Sequence, residues 1–331
     1  MNSFGRLFRI SIFGESHGDC VGVLIDGVKA GIKLDKEDFV SDLTRRKAGG
    51  LGKTPRIESD EPMIESGVFN GYTTGAPILI RFLNQNTKSK DYSNLVSSPR
   101  PGHADYTAKV KYDGYNDYRG GGAFSGRLTL GLVAAGVIAK KILNYNFDTK
   151  ISSLYGCEDE SKFEDILKTA ISKGESVGGV VSINVSNVDK ALGEPYFDSV
   201  ESVVSHLLFS VGGVKGVQFG IGFDGEILYG SEYNDCIIDS NGKTATNNNG
   251  GINGGITNGN DLEIKVFVKP TPSVSVIQNT YNFDNNKVEE LKIEGRHDAA
   301  IILRAQVVLE ACVAIALADL KLVNDGIKGV M

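Results

Sequence analysis

Cysteine and histidine are both scarce in this chain, with four of each. Cys20, Cys157, Cys236 and Cys312 lie far apart, with no CxxC or other metal-ligand spacing. This excludes a disulfide framework and a cysteine-based metal site, and it fits reduced, mostly buried thiols of a cytoplasmic protein. No metal is expected. Positive charge is also short: 35 Lys and Arg stand against 41 Asp and Glu, a net charge of −6. That is the wrong balance for a sequence-independent nucleic-acid binder, which needs surplus cations to displace counterions from phosphates. Long apolar runs are missing too. "LTLGLVAAGVIA" at 128–139 is too short to span a bilayer, and the N-terminal "MNSFGRLFRISIFGE" lacks the apolar h-region of a signal peptide. No nucleic-acid partner and no membrane are expected, and the expected location is the cytoplasm.

What is present is ordinary globular material, 41% hydrophobic and 23% charged over 331 residues, enough to bury a large core. Alternation over Leu7 to Phe13 and the run "VGVLIDGV" from Val21 predict two strands joined through "GESHG" at 14–18. "DKEDFVSDLTRR" from Asp35 carries a helix cap and helical spacing. Further strands are expected at 64–69, 76–83, 177–185, 214–221 and 262–269, and a short helix within 102–112. Two stretches, 119–143 and 295–322, put Gly-Arg at the start of a helix apolar on most faces, the pattern of a helix buried in a core. The class is α+β with central helices and sheets outside, and the paired Gly-Arg helices suggest an internal two-fold similarity. The GGIxGGI spacing in 250–256 fits backbone that passes close to a ligand or another chain.

"GESHG" also has the Gly-x-Ser-x-Gly form of a hydrolase nucleophile elbow. An elbow needs a helix directly after the serine, and here a strand is expected, so Ser16 is not read as a nucleophile. The histidines are more telling. His17, His103 and His297 fall in Gly-flanked polar clusters, "GESHG", "PGHAD" and "GRHD", whereas His206 lies in the apolar helical pattern "SVVSHLLF". Imidazoles exchange protons near neutral pH, so three in such settings point to one acid-base site. Arg45, Arg46, Arg100, Arg119, Arg127 and Arg296 stand in Gly-rich or basic surroundings. Guanidinium groups near helix starts suit a small phosphorylated or carboxylated ligand inside an otherwise acidic protein. For Arg119, a solvated pair with Asp117 is the plainer reading.

Taken together and in order, GESHG (14–18), RPGHADYT (100–107), DYRGGG (117–122), SGRLT (125–129), KPTPS (269–273) and GRHD (295–298) resemble the chorismate synthase family over essentially the whole chain. The resemblance implies a single domain over 1–331, a β-α-β sandwich with central helices between antiparallel sheets, and a homotetramer. It implies a lyase that converts 5-enolpyruvylshikimate 3-phosphate to chorismate and phosphate by 1,4-elimination with reduced FMN. The alternative is an FMN- or phosphate-binding homologue without this activity.

By the same resemblance, His17, His103 and Asp298 are catalytic. Arg45, Arg46, Arg100, Arg127 and Arg296 bind substrate, while Ser125, Gly254, Lys269, Pro270, Thr271, Pro272, Ser273 and Arg296 contact FMN, some of them from a neighbouring subunit. Ser16 and Glu15 are expected to hydrogen-bond locally, with Gly14 and Gly18 allowing a tight turn that presents His17. Two departures stand out. Many members have Arg-Ser-Ser-Ala-Arg where this chain has Ala123-Phe124-Ser125-Gly126-Arg127, which removes one FMN contact. The 45–56 loop lacks the second arginine that some members use for a nicotinamide nucleotide. NADPH binding is therefore not expected, and a separate flavin reductase is.

Overall fold

The computed structural model describes residues 2–47, 49–53, 58–85, 95–293 and 297–329. Two antiparallel sheets enclose a pair of long helices. The first sheet orders its strands Ser3–Phe4, Arg9–Gly14, Cys20–Asp26, Ile78–Leu83 and Met63–Ile64. The second orders Val214–Phe219, Leu262–Val268, Gly179–Ser186 and Asn146–Leu154. In Leu262–Val268 every second residue is buried, so one face of that sheet meets the core and the other does not.

Each sheet is followed in the chain by the long helix that packs on it. Thr129–Leu143 lies on the first sheet, Ile302–Lys328 on the second, and the two helices pack on each other. Both are apolar over most of their circumference: Leu130 to Ala139 and Val307 to Leu320 are almost continuously buried. That composition suits a helix with protein on every side. Their crossing is close. A Cβ placed on Gly136 would stand 2.4 Å from Ala311 Cβ, so only glycine fits there. Asp42 and Arg45 of helix Val40–Arg46 join Lys140 and Glu310 in an ion network that ties three helices together.

This is the α+β sandwich with central helices. Among the described residues, no helix is long and apolar enough to cross a membrane. Five details differ from expectation. The strand expected at 64–69 is two short pieces, Met63–Ile64 in the first sheet and Val68–Phe69 paired with Tyr72–Thr73, and of the four cysteines only Cys312 is buried. Asn146–Leu154 is a full strand that pattern reading does not reveal, because its sequence "NFDTKISSL" is mostly polar. A hairpin of Gln278–Asn282 and Lys287–Leu291 is likewise unanticipated. The last helix begins at Ile302, not beside Arg296, because residues from His297 to Ala300 form a non-helical approach. The 250–256 glycines form the hairpin Ile252–Asn253 with Ile256–Thr257.

Candidate active site

The hairpin Arg9–Gly14 to Cys20–Asp26 closes through GESHG with Gly14 opposite Val21. No helix follows Ser16, which removes the geometry of a nucleophile elbow. Gly14 takes a left-handed φ of 95°, but Gly18 does not, so the turn depends on the first glycine. The side chain of Asn84 holds the turn from outside, its Nδ2 donating to Glu15 O at 2.9 Å and Gly18 O at 2.7 Å. Ser16 N donates to Gly122 O at 3.2 Å. The Ser16 hydroxyl is buried and has no hydrogen-bond partner among the described residues, contrary to the expected local bond.

Gly120, Gly121 and Gly122 all take positive φ, and this glycine loop lies directly on the histidines. A Cβ on Gly120 would come 2.6 Å from His17 Cδ2, and one on Gly121 would come 3.4 Å from His103 Cε1. The loop ends at Ser125, whose hydroxyl caps the next turn by accepting from Arg127 N at 3.3 Å.

Around these segments opens a cleft of about 710 Å³, within the range of sites that enclose a small organic ligand. Its lining includes apolar side chains, among them Ile10, Ile12, Leu132, Leu207 and Val308. It is also charged. Six cationic side chains (Arg46, Arg100, Arg127, Lys215, Lys269, Arg304) face three carboxylates (Glu58, Asp60, Asp298) among the described lining residues. An acidic protein thus keeps a local basic pocket.

Three of those arginines are buried and aimed. Arg46 donates from Nε to Thr129 Oγ1 at 2.9 Å and from Nη2 to Gly126 O at 2.6 Å. Its Nη1 has no hydrogen-bond partner among the described residues and stands 3.6 Å from Asp60 Oδ2. Burial, then the nearby Arg304, pushes this guanidinium down to about 9, with Asp60 pulling the other way, so it stays charged at neutral pH. Arg127 donates to Asp60 Oδ1 at 2.8 Å, to Leu83 O at 3.0 Å and to Asn84 Oδ1. Arg127 is therefore paired with an aspartate, as is Arg119 with Asp117 at 2.8 Å, but the Arg127 pair is buried and the Arg119 side chain is 42% exposed.

Arg100 lies against Asp105 and Ser273. Its Nε donates to Asp105 Oδ2 at 2.7 Å, its Nη2 to Asp105 Oδ1 at 2.8 Å, and its Nη1 to Ser273 Oγ at 3.1 Å. His103 Nδ1 lies 2.6 Å from Asp105 Oδ1. Burial alone would raise the Asp105 carboxyl, but bonds from Arg100 and His103 outweigh it and hold the group well below the usual carboxylate range. Across the cleft, Arg304 donates to Asp298 Oδ2 at 3.2 Å and to Arg46 O at 3.0 Å. Lys269 Nζ donates to Gly102 O at 2.6 Å.

The cleft therefore brings together His103, Asp298, Arg46, Arg100, Arg127, Ser125, Lys269, Thr271, Pro272 and Ser273. His17 stands behind Gly120 rather than on the cleft surface, and His206 borders the cleft while meeting Phe4 edge-on at 5.6 Å. Arg45 does not line this cleft: it forms a two-bond pair with Glu310 at 2.8 and 2.6 Å. Gly254 lies at an exposed hairpin tip and Pro270 also does not line this cleft. Arg296 lies outside the described residues. Sequence reading missed Asp60, Asn84, Asp105 and Arg304. Of these only Asp105 had a local signal, two residues after His103 in PGHAD.

A family model described as chorismate synthase matches residues 8–322. A chorismate synthase of Chitinophaga pinensis is 56% identical over 327 residues, covering 98% of each chain. One of Thermococcus gammatolerans is 43% identical over 354 aligned positions, covering 99% of each. A solved crystal structure of chorismate synthase superposes with a TM-score of 0.75 at 25% identity, covering 98% of this chain and 94% of that one. By family model, near full-length relatives and fold alike, the chain belongs to the chorismate synthase family.

Proposed function

We propose that the cleft converts 5-enolpyruvylshikimate 3-phosphate to chorismate and phosphate, the last step of the shikimate route. The observation that carries this reading is Arg46. A buried guanidinium whose Nη1 has no hydrogen-bond partner among the described residues is costly unless an anion completes it, and Arg100 and Arg127 line the same cleft. A substrate with one phosphate and two carboxylates is the matching ligand.

The donor set also supports the flavin. Thr271 Oγ1 and Ser16 Oγ are buried in the cleft lining with no hydrogen-bond partner among the described residues, and the apolar lining residues suit a planar ring. Ser125, Lys269, Thr271, Pro272 and Ser273 would hold FMN from this chain, with Pro270, Gly254 and Arg296 completing the proposed set, some from a second subunit. Bound there, reduced FMN would supply electron density for the 1,4-elimination, a reaction with no net redox change.

The chain's own groups do the rest. Arg46, Arg100 and Arg127 fix the substrate and offset the charge that grows on the departing phosphate. His103 stands beside Arg100 and stabilises that phosphate as an acid. Asp298, oriented by Arg304, serves the proton released at C6. His17, shielded by Gly120, holds the proton balance on the flavin side. Both sheets and both central helices contribute to one cleft, which favours a single functional unit over 1–331. Exposed apolar side chains at Phe223, Ile227 and Tyr229 favour a further copy of the chain as cover, in line with a homotetramer. A separate flavin reductase and a cytoplasmic setting complete the reading.

Shared occupancy of the cleft is tested by adding substrate to the protein with FMN and following flavin absorbance. A perturbation that saturates with substrate is expected. An unchanged spectrum, with substrate binding confirmed by calorimetry, would place the two ligands apart.

A further inference from the structure

We propose that Asp105 is a positioning residue for the elimination, fixing His103 in the tautomer that leaves Nε2 free to act on the phosphate; this rests on the proposed role of His103.

The argument is one of donors and acceptors. His103 Nδ1 has two close neighbours, Asp105 Oδ1 at 2.6 Å and Arg100 Nη2 at 3.0 Å. They make opposite demands. A guanidinium can only donate, so a bond from Arg100 would need a bare Nδ1; an ionised carboxylate can only accept, so a bond to Asp105 needs a proton there. Arg100 Nη2 already donates to Asp105 Oδ1 at 2.8 Å, and the Nδ1 to Oδ1 distance is the shorter of the two His103 contacts. With Asp105 ionised, Nδ1 carries the proton. Nε2 is then the nitrogen that gains and gives protons, and it lies on the ring edge that faces Gly121.

One carboxylate thus performs two tasks. Its pair of oxygens receives Arg100 Nε and Nη2 in a fork, and one of the same oxygens receives the imidazole. The backbone N-H of Arg100 also donates to Asp105 Oδ2 at 3.1 Å, which folds the 100–105 turn around the group. The acid and one member of the anion clamp therefore share a counter-ion and are held in fixed relation. When the ring is doubly protonated, Nδ1 keeps the proton held by Asp105 and Nε2 carries the one that can pass to phosphate. Other charged groups facing this trio are few among the described residues. Lys269 reaches Gly102 O from the segment after Leu262–Val268, Ser273 is neutral on Arg100, and the glycine loop brings no charge.

The direct test needs no change at Asp105. With 15N-labelled histidine in the full chain, the four imidazoles are assigned by single His→Gln changes. His103 is expected to show protonated Nδ1 and unprotonated Nε2 in its neutral form. A neutral His103 protonated on Nε2 would overturn the proposal. The second test is a double-mutant cycle on turnover with reduced FMN, using Asp105→Asn and His103→Ala. Asp105→Asn alone is expected to lower kcat about 100-fold, to weaken the Nδ1-protonated preference of His103 in the 15N spectrum, and to leave the protein folded. In the His103→Ala background the same change should cost less than about threefold if the two act as a unit. Equal losses in both backgrounds would mean that Asp105 serves Arg100 or the fold and not His103. If His103→Ala alone keeps full activity, the functional reading of His103 itself fails, and that result is distinct from either outcome for Asp105.

Discussion

Arg127 and Arg46 share one carboxylate: Asp60 accepts from Arg127 at 2.8 Å and stands 3.6 Å from Arg46. All three groups are buried, and two cations on one anion leave a local surplus of positive charge for a ligand to meet. Asp60→Asn should therefore lower stability by about 3–5 kcal/mol, the cost of uncovering buried charges. The variant should also gain more in Tm than wild type from added sulfate or substrate, because an external anion takes over the missing partner. Thermal unfolding with and without the anion checks both. An unchanged Tm, or an equal anion effect, would contradict this view of the cleft.

Gly120→Ala should act on His17 with little global unfolding. Its φ of 59° and a Cβ 2.6 Å from the His17 ring force either the loop or the imidazole to move. The expected backbone strain is about 1–3 kcal/mol, and the expected fall in kcat is tenfold or more, on the order of a misplaced catalytic group. Turnover compared with urea unfolding separates the two effects. Activity within twofold of wild type would show that His17 needs no such placement.

These groups mark the limit of what the sequence discloses. The strand pair around GESHG, the two buried helices and the histidine clusters can be read because each is a local pattern of a few residues. Asp60 and Asn84 cannot, since they meet Arg127 from 67 and 43 residues away and their own surroundings carry no periodic signal. Arg45 and Arg46 show the same limit at close range. They are neighbours on one helix, but successive residues point about 100° apart, so one turns to Glu310 and the other to the cleft. Nothing in "RRK" says which. The strand Asn146–Leu154 escapes because only Leu154 is buried and its half-buried positions mix Phe147 and Ile151 with Thr149, Ser152 and Ser153.

Acid stability should depend on Glu310. Burial would raise its carboxyl, but bonds from Arg45 and Lys140 outweigh this and hold it below its ordinary value. A carboxyl lowered in the folded state stabilises the protein above its unfolded pKa, near ~4.3, and that stabilisation is lost as pH falls through the folded value. Glu310→Gln should thus be less stable than wild type at neutral pH, by about 2 kcal/mol or more because Arg45 and Lys140 lose a buried partner. The gap should narrow as the pH drops below about 4. Urea unfolding across pH measures it, and a gap independent of pH would contradict the charge-based account.

Ala123 and Phe124 line the cleft, and both are exposed. Ala123→Arg should tighten binding of reduced FMN severalfold by adding a cation for its anionic groups, an effect of roughly 1 kcal/mol at an exposed site. Anaerobic flavin titration of the two proteins decides it. Equal affinities would show that position 123 makes no flavin contact here.

The central claim is the elimination itself. Purified protein, 5-enolpyruvylshikimate 3-phosphate and chemically reduced FMN are mixed without oxygen, and chorismate absorbance and phosphate release are followed together. Equal amounts of both products, formed only with reduced flavin, are the predicted result. Absence of product, with substrate and flavin each shown to bind, would mean that this cleft has kept its ligands and lost its chemistry.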